Sequence, residues 1–528
     1  MFWDNCPPGI PAADNPIERG SLTMEFLPKP DDFASAYGRG ENQVVYTRLV
    51  ADLDTPVSLM LKLAGAGAMS FMLESVTGGE VRGRYSVIGM KPDVVWECRG
   101  EKARLNREAR YDASAFIDET TDPLTSLRAL LAESRIDMPA ELPAIGAGLF
   151  GYLGYDMIRH VEHLPDVNPD PLGLADAVMM RPTVTIVLDG VKGEVIVIAP
   201  VWVRDGVSAK VAYAQAAERV ADAVHDLDRQ PPTETRELTS DTLLAEPVSN
   251  TSKERYFEMV EQARAYIKAG DIFQVVPSQR WTMDFDLPPF SLYRALRRTN
   301  PSPYMFYFNL GDFQIVGASP ETLVSVKDKE VTIRPIAGTR PRGKDEAEDR
   351  ALEADLLGDP KECAEHLMLL DLGRNDVGRV SKIGTVRPTD KFIIERYSHV
   401  MHIVSNVIGE LSDDHDALSA LLAGLPAGTV SGAPKVRAME IIDELETEKR
   451  GVYGGGVGYF SATGEMDICI ALRTGVLKDQ KLYVQAGGGV VWDSDPEAEF
   501  QETVNKSKAL VQAAHEAARF VKFRGGQG

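Results

Sequence analysis

Glutamate side chains recur at helical spacing in two segments of the chain, and carboxylates are the side chains that hold hard cations such as Mg²⁺. In the first segment an Asp-Pro pair at 359–360 predicts a helix start, and Glu362 and Glu365 follow it three residues apart. Residues at that spacing share one side of a helix, so both carboxylates would point in similar directions. Glu362 also stands where a capping glutamate stands. Its role is therefore open between a helix cap, a residue around a metal and a catalytic group.

The second acidic segment follows an Asp-Pro pair at 495–496 and carries Glu499, Glu502 and Lys506 at i, i+3 and i+7. Glu502 and Lys506 have the spacing of an ordinary ion pair on a solvated helix face, and spacing alone favours that interpretation. Mg²⁺ is often held by only one or two carboxylates, together with water and substrate oxygens. Two acidic helices are therefore compatible with a magnesium site without requiring one.

Several further residues have types that suit the binding of a small anion. Gly338 permits close backbone approach, and Thr339 offers a hydroxyl. The three glycines at 487–489 would form either a nest of backbone N–H groups or a plain loop. Arg473 is a candidate bidentate partner for a carboxylate. These residues predict a site for a carboxylate ligand, with ordinary turns and loops as the alternative.

The elements that must position these residues follow from hydrophobic patterning. β-branched runs at 184–188 and 195–198 predict strands, and an alanine-rich helix is predicted over 208–225. Thr251-Ser-Lys-Glu254 has capping-box spacing ahead of a helix that Gly270 would end. The segment 146–151 matches GxGxxG, but no βαβ unit surrounds it. We therefore expect a glycine-rich strand pair there and not a dinucleotide loop.

The clearest break in the chain is a polar, proline-containing stretch at 228–250, which predicts a linker or long loop. It separates an N-terminal region at 24–227 from a second region at 251–517. An irregular, proline-rich extension at 1–23 and a short tail at 518–528 complete the predicted organisation. Strands and helices alternate without the rhythm of a doubly wound sheet, which predicts a mixed α+β arrangement.

Composition narrows the class of partner. The 528 residues carry a net charge of -22, which disfavours a nucleic-acid-binding protein because such proteins show a basic footprint. A small anionic substrate is still allowed, since a few placed arginines can dominate locally. The four cysteines have no disulfide or zinc spacing, and no apolar run approaches the length of a membrane span. With no signal peptide at the start either, we expect a cytoplasmic protein.

Several long strings, in one order, resemble the motifs of the chorismate-utilising enzymes. The resemblance runs from about Met24 to about Ala517. The strings are Ile333-Arg-Pro-Ile-Ala-Gly-Thr-Arg-Pro-Arg342, Gly317-Ala-Ser-Pro-Glu321, Glu362-Cys-Ala-Glu-His366, Asp371-Leu-Gly-Arg-Asn-Asp376, Gly428-Thr-Val-Ser-Gly-Ala-Pro-Lys435 and Gln485-Ala-Gly-Gly-Gly489. The fold that this resemblance implies is an α/β (α+β) sandwich of mostly antiparallel sheets with flanking helices.

Two residues place the chain within that family. Relatives that make aminodeoxychorismate carry a lysine where this chain has Ala337, and relatives that use water carry a lysine base where it has Gln274. The resemblance therefore implies ammonia as the nucleophile and conversion of chorismate to anthranilate and pyruvate, the first step of tryptophan biosynthesis. An aminodeoxychorismate-forming subunit and a non-catalytic sensor of chorismate or tryptophan are the alternatives.

The family's functional positions fall on particular residues of this sequence. The resemblance implies Glu365 and Glu502 as ligands of Mg²⁺, Glu321 as the acid for departure of the ring 4-hydroxyl, and His402 as the group for pyruvate loss. Thr429 would lie near the enolpyruvyl group. From the residues alone, Glu321 is a turn carboxylate, His402 a structural histidine and Thr429 a helix N-cap.

The substrate, chorismate, is a dicarboxylate and needs a local basic site. The substrate positions of the family fall on Gly338, Thr339, Tyr453, Arg473, Gly487, Gly488, Gly489 and Lys506. The arginines at Arg334, Arg340 and Arg342 are expected to supply part of the positive charge.

The resemblance also implies regulation and a partner. A site for L-tryptophan as feedback inhibitor is expected at Ser75 and at Pro303, Tyr304 and Met305. Packing between the two halves of the chain is the alternative for these residues. No nucleophilic-cysteine elbow is found, so a separate glutamine amidotransferase subunit is expected to supply ammonia, in a heterotetramer of two copies of each chain.

Overall fold

A computed structural model describes residues 24–64, 67–76, 83–231, 235–236, 246–397 and 400–523 of the chain. The predicted extension at 1–23, most of the predicted linker at 228–250 and the last five residues of the predicted tail lie outside the described residues. The division into regions at 24–227 and 251–517 stays a prediction.

The described residues form a mixed α/β structure, as predicted. Its helices are α1 Pro30–Gly38, α2 Pro56–Leu63, α3 Pro123–Glu133, α4 Ala209–Leu227, α5 Lys253–Ala269, α6 Pro289–Thr299, α7 Glu346–Gly358, α8 Pro360–Gly378, α9 Ala417–Gly424, α10 Lys435–Leu445 and α11 Pro496–Ala517. Its strands are β1 Gln43–Val50, β2 Ser70–Glu74, β3 Tyr85–Arg99, β4 Lys102–Asn106, β5 Ile117–Asp118, β6 Gly148–Leu153, β7 Ala177–Asp189, β8 Glu194–Val201, β9 Thr235–Arg236, β10 Val248–Ser249, β11 Gln274–Val275, β12 Ser278–Asp284, β13 Tyr304–Asn309, β14 Phe313–Ser319, β15 Thr322–Lys327, β16 Glu330–Ile333, β17 Ile336–Pro341, β18 Arg387–Arg396, β19 Val400–Glu410, β20 Gly432–Ala433, β21 Gly456–Ser461, β22 Met466–Ile470, β23 Thr474–Lys478, β24 Lys481–Gly487 and β25 Lys522–Phe523.

The long antiparallel pair β3–β7 passes through two sheets. One half of this pair continues into β8 and β1 on one side and into β2, β13, β14, β23, β24, β12 and β10 on the other. The other half continues into β4 and β5, and into β6, β21, β22, β15, β16 and β19. A register shift in β3 between Pro92 and Val94 marks the change from one sheet to the other. A local irregularity of this kind bends a strand and lets it serve two sheets.

The core between the two sheets is aromatic. Phe71 of β2 stacks on Phe150 of β6 with ring centroids 4.3 Å apart, and Phe308 of β13 stacks on the same Phe71 ring at 5.4 Å. All three rings are fully buried. Helices cover the outer faces, with α4, α6 and α11 on one sheet and α3 and α9 on the other. The predicted sandwich of mostly antiparallel sheets with flanking helices is therefore confirmed.

The predictions for segment 146–151 and for the end of α5 are confirmed, and the predicted start of α5 needs one correction. Segment 146–151 contributes β6, which pairs with β7 and β21, so the glycine-rich strand pair is confirmed. Gly270 ends α5 with a φ of 87°. The N-cap of α5 is Ser252 and not Thr251, because the Ser252 hydroxyl accepts from the backbone N–H of Arg255. Thr251 instead hydrogen-bonds to neighbouring polar groups ahead of the helix.

None of the described helices combines the length and the apolar content that crossing a membrane would need. The described cysteines Cys98, Cys363 and Cys469 are free thiols.

Candidate active site

The string Ile333-Arg-Pro-Ile-Ala-Gly-Thr-Arg-Pro-Arg342, called the signature segment from here on, forms one edge of the site. Its strand β17 pairs with β19, and the register shifts between Ala337 and Thr339. Gly338 sits at this irregularity with a φ of 69°, a conformation that glycine adopts without strain. A Cβ atom there would lie 3.1 Å from Glu362 Oε2 and 3.1 Å from Leu356 Cδ1. Glycine is therefore needed both for the backbone angle and for close packing against the acidic helix α8.

His402 lies on β19 directly opposite Thr339. Its Nδ1 is 3.0 Å from the carbonyl oxygen of Gly338 and 3.1 Å from Thr339 Oγ1. A carbonyl oxygen only accepts, so this contact assigns the proton to Nδ1 and leaves Nε2 as an acceptor. Burial lowers the pKa of His402, and the nearby Arg473 charge lowers it further. The imidazole is therefore neutral near pH 7, with Nε2 able to take a proton.

Glu321 lies in the turn between β14 and β15, and its carboxylate oxygen Oε2 accepts a 3.1 Å hydrogen bond from Thr429 Oγ1. The pKa of Glu321 is raised to about 7, because burial outweighs the lowering effects of the Thr429 hydrogen bond and of the Arg473 and Lys506 charges. Desolvation disfavours the charged form, which is why burial dominates. A substantial fraction of this carboxyl therefore keeps its proton at neutral pH.

Thr429 is part of a single 3₁₀ turn, Gly428–Val430, whose N-cap is Ala427. The alternative that Thr429 is a helix N-cap is therefore wrong. Its hydroxyl serves the Glu321 carboxyl instead.

Arg473 lies in the turn between β22 and β23 with a φ of 48°. Its guanidinium makes no hydrogen bond or ion pair with any residue in the described part of the chain. Burial lowers the pKa of Arg473, and the carboxyl of Glu321 partly offsets this. Arginine stays charged in proteins, so a half-buried guanidinium without a partner is available to a ligand carboxylate.

Lys506 forms the ion pair with Glu502 that the spacing predicts, at 2.7 Å. Its ammonium also donates to the carbonyl oxygen of Gly487 at 3.0 Å. The side chains of Glu502 and Lys506 are 47% and 49% exposed, so water screens this pair. Burial lowers the pKa of Lys506, but Glu502 more than offsets this and the net shift is upward. The pair thus stands at the accessible side of the site.

The glycines at 487–489 are required by close approach. A Cβ atom at Gly487 would lie 3.0 Å from the hydroxyl of Tyr453, and one at Gly489 would lie 2.7 Å from Gln274 Nε2. The N–H of Gly488 donates to a backbone carbonyl at 3.2 Å, and none of the three residues has a positive φ. The expected nest of free N–H groups is therefore not formed at Gly488. The side chain of Tyr453 is buried against this glycine segment.

Glu365 lies beside Gln274, whose side-chain Nε2 donates to Glu365 Oε1 at 2.9 Å. Burial raises the pKa of Glu365, and the negative charges of Glu362 and Glu502 raise it further. These causes show that the helices α8 and α11 bring three carboxylates within electrostatic reach of one another. The structure therefore unites the two acidic segments that the sequence separates by more than a hundred residues.

Glu499 adds to this negative charge. Ser494 donates to its Oε1 at 2.7 Å, but its Oε2 is buried with no hydrogen-bond partner in the described structure. Burial, together with the nearby charge of Glu502, raises the pKa of Glu499 to about 7. A buried carboxylate oxygen without a donor is costly unless a cation or proton satisfies it. The spacing of the second acidic segment includes Glu499 but does not predict its burial, which comes from packing against Ser494 and Gly488.

The chemistry of these carboxylates fits a hard divalent cation. In the described part of the chain, no group of three or more His, Cys, Asp and Glu side chains is placed so that it could hold a metal ion. Mg²⁺ does not need such a cage, since it keeps several waters and takes substrate oxygens. Glu365 and Glu502 are the side chains that could hold such an ion, with Glu362 and Glu499 adding negative charge nearby.

The expectation that the arginines of the signature segment form the basic site is wrong. Arg334 pairs with Glu395, and Arg342 pairs with Asp349 at 2.9 Å. Arg340 binds the acidic start of α8, including Asp359 at 2.9 Å and Glu362 at 3.3 Å. Their charges are neutralised by carboxylates of α7, α8 and β18 that the sequence pattern did not assign to them.

The cap interpretation of Glu362 is also wrong. Asp359 is the N-cap of α8 and accepts from the backbone N–H groups of Lys361 and Glu362. The side chain of Glu362 instead accepts from Arg340 Nη1 at 3.3 Å. This pairing holds the Glu362 carboxylate at the side of the site, beside Gly338.

The residues expected to bind an inhibitor are adjacent in the structure. Strand β2 ends at Glu74, which pairs with Met305 of β13, and the N–H of Val76 donates to the Ser302 carbonyl at 3.3 Å. Ser75, between these two contacts, therefore lies beside the segment 303–305. Glu74 is buried and forms a bidentate ion pair with Arg297 at 2.6 and 2.7 Å, a pair that the sequence did not predict.

Tyr304 connects this region to the acid. Its hydroxyl lies 2.7 Å from Thr322 Oγ1 and donates to Asp467 Oδ1 at 3.2 Å. Thr322 follows Glu321 directly in the chain. The candidate inhibitor segment and the candidate acid are thus separated by a single hydrogen-bonded side chain.

Comparisons with known proteins agree with this geometry. A family model described as chorismate binding enzyme matches residues 87–512. The anthranilate synthase component 1 of Cereibacter sphaeroides is 71% identical over 495 residues, covering 94% of this chain and 99% of that protein. The anthranilate synthase component 1 of Pseudomonas aeruginosa is 48% identical over 498 residues, covering 93% and 99%.

Solved structures show the same fold. The crystal structure of anthranilate synthase component I from Streptococcus pneumoniae matches with a TM-score of 0.70 at 38% identity, covering 83% of this chain and 94% of that one. The menaquinone-specific isochorismate synthase of Escherichia coli shares the fold at 18% identity, with a TM-score of 0.67 and coverage of 92% and 98%. Because the family model spans most of the chain and these relatives align over nearly their full length, the chain belongs to the chorismate binding enzyme family, with anthranilate synthase component 1 proteins as its relatives.

Proposed function

We propose that this chain is a magnesium-dependent lyase that converts chorismate and ammonia into anthranilate and pyruvate. The observation that carries the proposal is that one site holds both a carboxyl able to keep its proton and a charged guanidinium that forms no ion pair with the described residues. Glu321 is a carboxyl whose pKa lies near 7, and Arg473 beside it is a guanidinium without a counter-ion. The first suits an acid that protonates a leaving hydroxyl, and the second suits a substrate carboxylate. The relatives' printed names point to the same reaction.

Binding of the substrate follows from the unpaired charges. Arg473 takes one carboxylate of the chorismate dianion, and the small residues at 487–489 allow its ring to approach the backbone and Tyr453. Glu365 and Glu502 would hold Mg²⁺, which when bound supplies positive charge for the ring carboxylate. Lys506 lies next to Glu502 and adds a second cation at this side of the site.

The amination step depends on Glu321. As ammonia forms a bond to C2, the two ring double bonds shift and the C4–O bond breaks, and the protonated carboxyl gives its proton to the departing hydroxyl, which leaves as water. The ammonium group formed at C2 then loses one proton to become the amine. Hydroxide is a poor leaving group, so this proton transfer lowers the barrier. Thr429 stabilises the carboxylate that remains, because its hydroxyl already donates to Oε2.

Loss of pyruvate depends on His402. Aromatisation requires removal of the ring proton at C2 while the bond from C3 to the enolpyruvyl oxygen breaks, and the group released takes up a proton to become pyruvate. Nε2 is the unprotonated nitrogen because Nδ1 donates to the Gly338 carbonyl. The lowered pKa of His402 keeps the imidazole neutral and ready to accept that proton. The two catalytic steps thus have separate groups, one in the turn between β14 and β15 and the other on β19.

The nitrogen source and regulation complete the proposal. Gln274 offers an amide where water-using relatives have a lysine base, which favours ammonia as nucleophile. We infer that ammonia comes from a glutamine amidotransferase partner in a heterotetramer of two copies of each chain. L-Tryptophan inhibits through Ser75 and the segment 303–305, and the protein acts in the cytoplasm.

The test uses the purified chain without a partner. Incubation with chorismate, Mg²⁺ and an ammonium salt should produce anthranilate fluorescence and an equal amount of pyruvate. Replacing the ammonium salt by glutamine should give no product. Formation of aminodeoxychorismate or isochorismate, identified by chromatography, would contradict the proposal.

A further inference from the structure

A buried ion pair lies behind the candidate acid, outside the residues assigned to substrate or metal. Lys435 Nζ binds Asp376 Oδ2 at 2.8 Å, and the two side chains are only 8% and 6% exposed. Lys435 begins α10, and Asp376 lies near the end of α8. Burying both charges is costly, and such a pair often stabilises a fold no better than apolar residues of similar size would. Its geometry therefore calls for another explanation.

The three protons of the Lys435 ammonium are all used. Besides Asp376, the ammonium donates to the backbone carbonyls of Ala423 and Gly424, each at 3.3 Å. These carbonyls belong to the last turn of α9, where helical carbonyls have no partner within the helix. The ion pair therefore ties the end of α9 to α8 and α10.

The end of α9 leads directly into the turn that carries Thr429. Gly424 and Gly428 are packed with no space for a side chain: their Cβ atoms would lie 2.4 Å from Val324 Cγ2 and 2.4 Å from Leu372 Cδ2. The segment 424–430 is thus held between α8, β15 and the Lys435 ammonium. From this segment, the side-chain hydroxyl of Thr429 donates a hydrogen bond to Glu321 Oε2 at 3.1 Å.

Asp376 and the acid also share a cavity. One pocket is lined by Glu321 and Thr429 together with Asp376 and Arg334. Its remaining lining is mostly apolar and comes from several elements, including Leu323 of β15, Ile333 of β16 and Leu369 of α8. Because open space adjoins Thr429, packing alone does not fix the position of its hydroxyl, and the charged contact supplies the missing constraint.

We propose that Lys435 and Asp376 are positioning residues, which hold the segment 424–430 so that the Thr429 hydroxyl stays bonded to the carboxyl of Glu321. This inference rests on the proposed function of Glu321 as the acid. The pair touches neither substrate nor acid, and acts only through Thr429. The charged groups that face Glu321 directly are Arg473 and Lys506, and they are unchanged by removal of the pair.

The test is a mutant cycle read out by the pH dependence of turnover, with free ammonia held constant at each pH. Glu321 must be protonated to act, so activity should fall as pH rises through its pKa. The Thr429 bond holds that pKa down. Removing the pair with Lys435→Met/Asp376→Leu should therefore move the alkaline limb upward by about half to one pH unit, the size expected for one hydrogen bond.

Thr429→Val should move the alkaline limb by the same amount. The triple variant, which combines Thr429→Val with Lys435→Met/Asp376→Leu, should show no larger shift than Thr429→Val alone. A pair acting through Thr429 has nothing further to lose once that hydroxyl is gone. The double variant leaves no unpaired buried charge, so it should fold. Lys435→Gln/Asp376→Asn also leaves no unpaired buried charge and keeps polar groups at both positions, and it provides the same test at smaller amplitude if the first double variant is unstable.

The control is Arg181→Met/Asp93→Leu, which removes an ion pair of similar burial in the N-terminal half. It should change thermal stability without moving the limb. The inference would be overturned if the Lys435/Asp376 variant kept the alkaline limb of the unchanged protein. It would also be overturned if the shift in the triple variant equalled the sum of the two separate shifts. If the unchanged chain forms no anthranilate at all, the proposed function fails; if it does, only the positioning role is in question.

Discussion

Glu321→Gln should inactivate the protein and stabilise it, and the stabilisation should depend on pH. Burial raises the folded-state pKa of Glu321 from 4.5 to about 7. The folded state therefore binds this proton more tightly than the unfolded state does. The charged carboxylate opposes folding above the unfolded pKa, and its cost grows until pH passes the folded pKa. Glutamine is neutral at every pH and avoids this cost.

The magnitude follows from the shift. A difference of about 2.5 pH units corresponds to about 3 kcal/mol in the free energy of unfolding once pH is well above 7. Roughly 2 kcal/mol of this should develop between about pH 5.5 and about pH 8.5. Glutamine also retains an oxygen that can accept the Thr429 hydrogen bond, so the native contact is preserved and the comparison isolates the charge.

Urea unfolding of both proteins at these two pH values measures the difference. Glu258→Gln is the control, because its side chain is 65% exposed and the change should have little effect at either pH. The Glu321 variant should lose about 10²–10⁴-fold in amination, the usual effect of removing a proton-transfer group. If Glu321→Gln raised the free energy of unfolding equally at both pH values, or lowered it more at the higher pH, burial would not be what holds this carboxyl protonated.

Three further predictions concern the metal, the inhibitor and the second step. Glu365→Gln should raise the Mg²⁺ concentration needed for half-maximal activity by about tenfold or more, and unchanged activity at limiting Mg²⁺ would refute the assignment. Ser75→Phe should fill the inhibitor site and relieve tryptophan inhibition without changing uninhibited turnover; equal sensitivity in inhibition curves would place the site elsewhere. His402→Met should still aminate but accumulate aminodeoxyisochorismate, detected by chromatography, whereas anthranilate and pyruvate at the normal ratio would return His402 to a structural role.

Local chemistry explains why much of the fold could be predicted. Alternating apolar residues and helix caps act over a few positions, so the starts of α8 and α11 at Asp359 and Asp495 follow from the sequence directly. The cap of α5 was misplaced by one residue because Thr251 and Ser252 are chemically equivalent as caps. The passage of β3 through two sheets could not be predicted, since it depends on which distant strands pair with each half.

The site was harder to predict because charges find partners through the fold. Arg340 and Arg342 have the residue type and motif position of substrate ligands, yet helices α7 and α8 place carboxylates against both. Arg473 looks no different in sequence, but no carboxylate of the described structure forms a hydrogen bond or ion pair with it. Glu499 resembles a surface glutamate and is half-buried with one unsatisfied oxygen. Which charges stay unpaired is a long-range property that spacing does not encode.

These unpaired charges predict that Mg²⁺ and chorismate bind cooperatively. Arg473 forms no ion pair in the described structure. Glu365 and Glu499 are both costly to ionise, because burial and the nearby charge of Glu502 raise the pKa of each. Chorismate alone would add negative charge beside the carboxylates, and Mg²⁺ alone would add positive charge near Lys506. Together they neutralise one another as well as the site, so each should strengthen the binding of the other by an equal factor, about 5–150-fold for a typical coupling.

Calorimetric titration of inactive Glu321→Gln protein with Mg²⁺, in the presence and absence of chorismate, measures this coupling without turnover. Glu365→Gln removes one of the repelling carboxylates and should reduce the coupling, whereas a substitution on the remote Arg181–Asp93 pair should not. If Mg²⁺ bound equally well with and without chorismate, the two charge imbalances would be independent. The acidic helices and the unpaired Arg473 would then belong to separate sites, and the magnesium assignment to Glu365 and Glu502 would lose its physical basis.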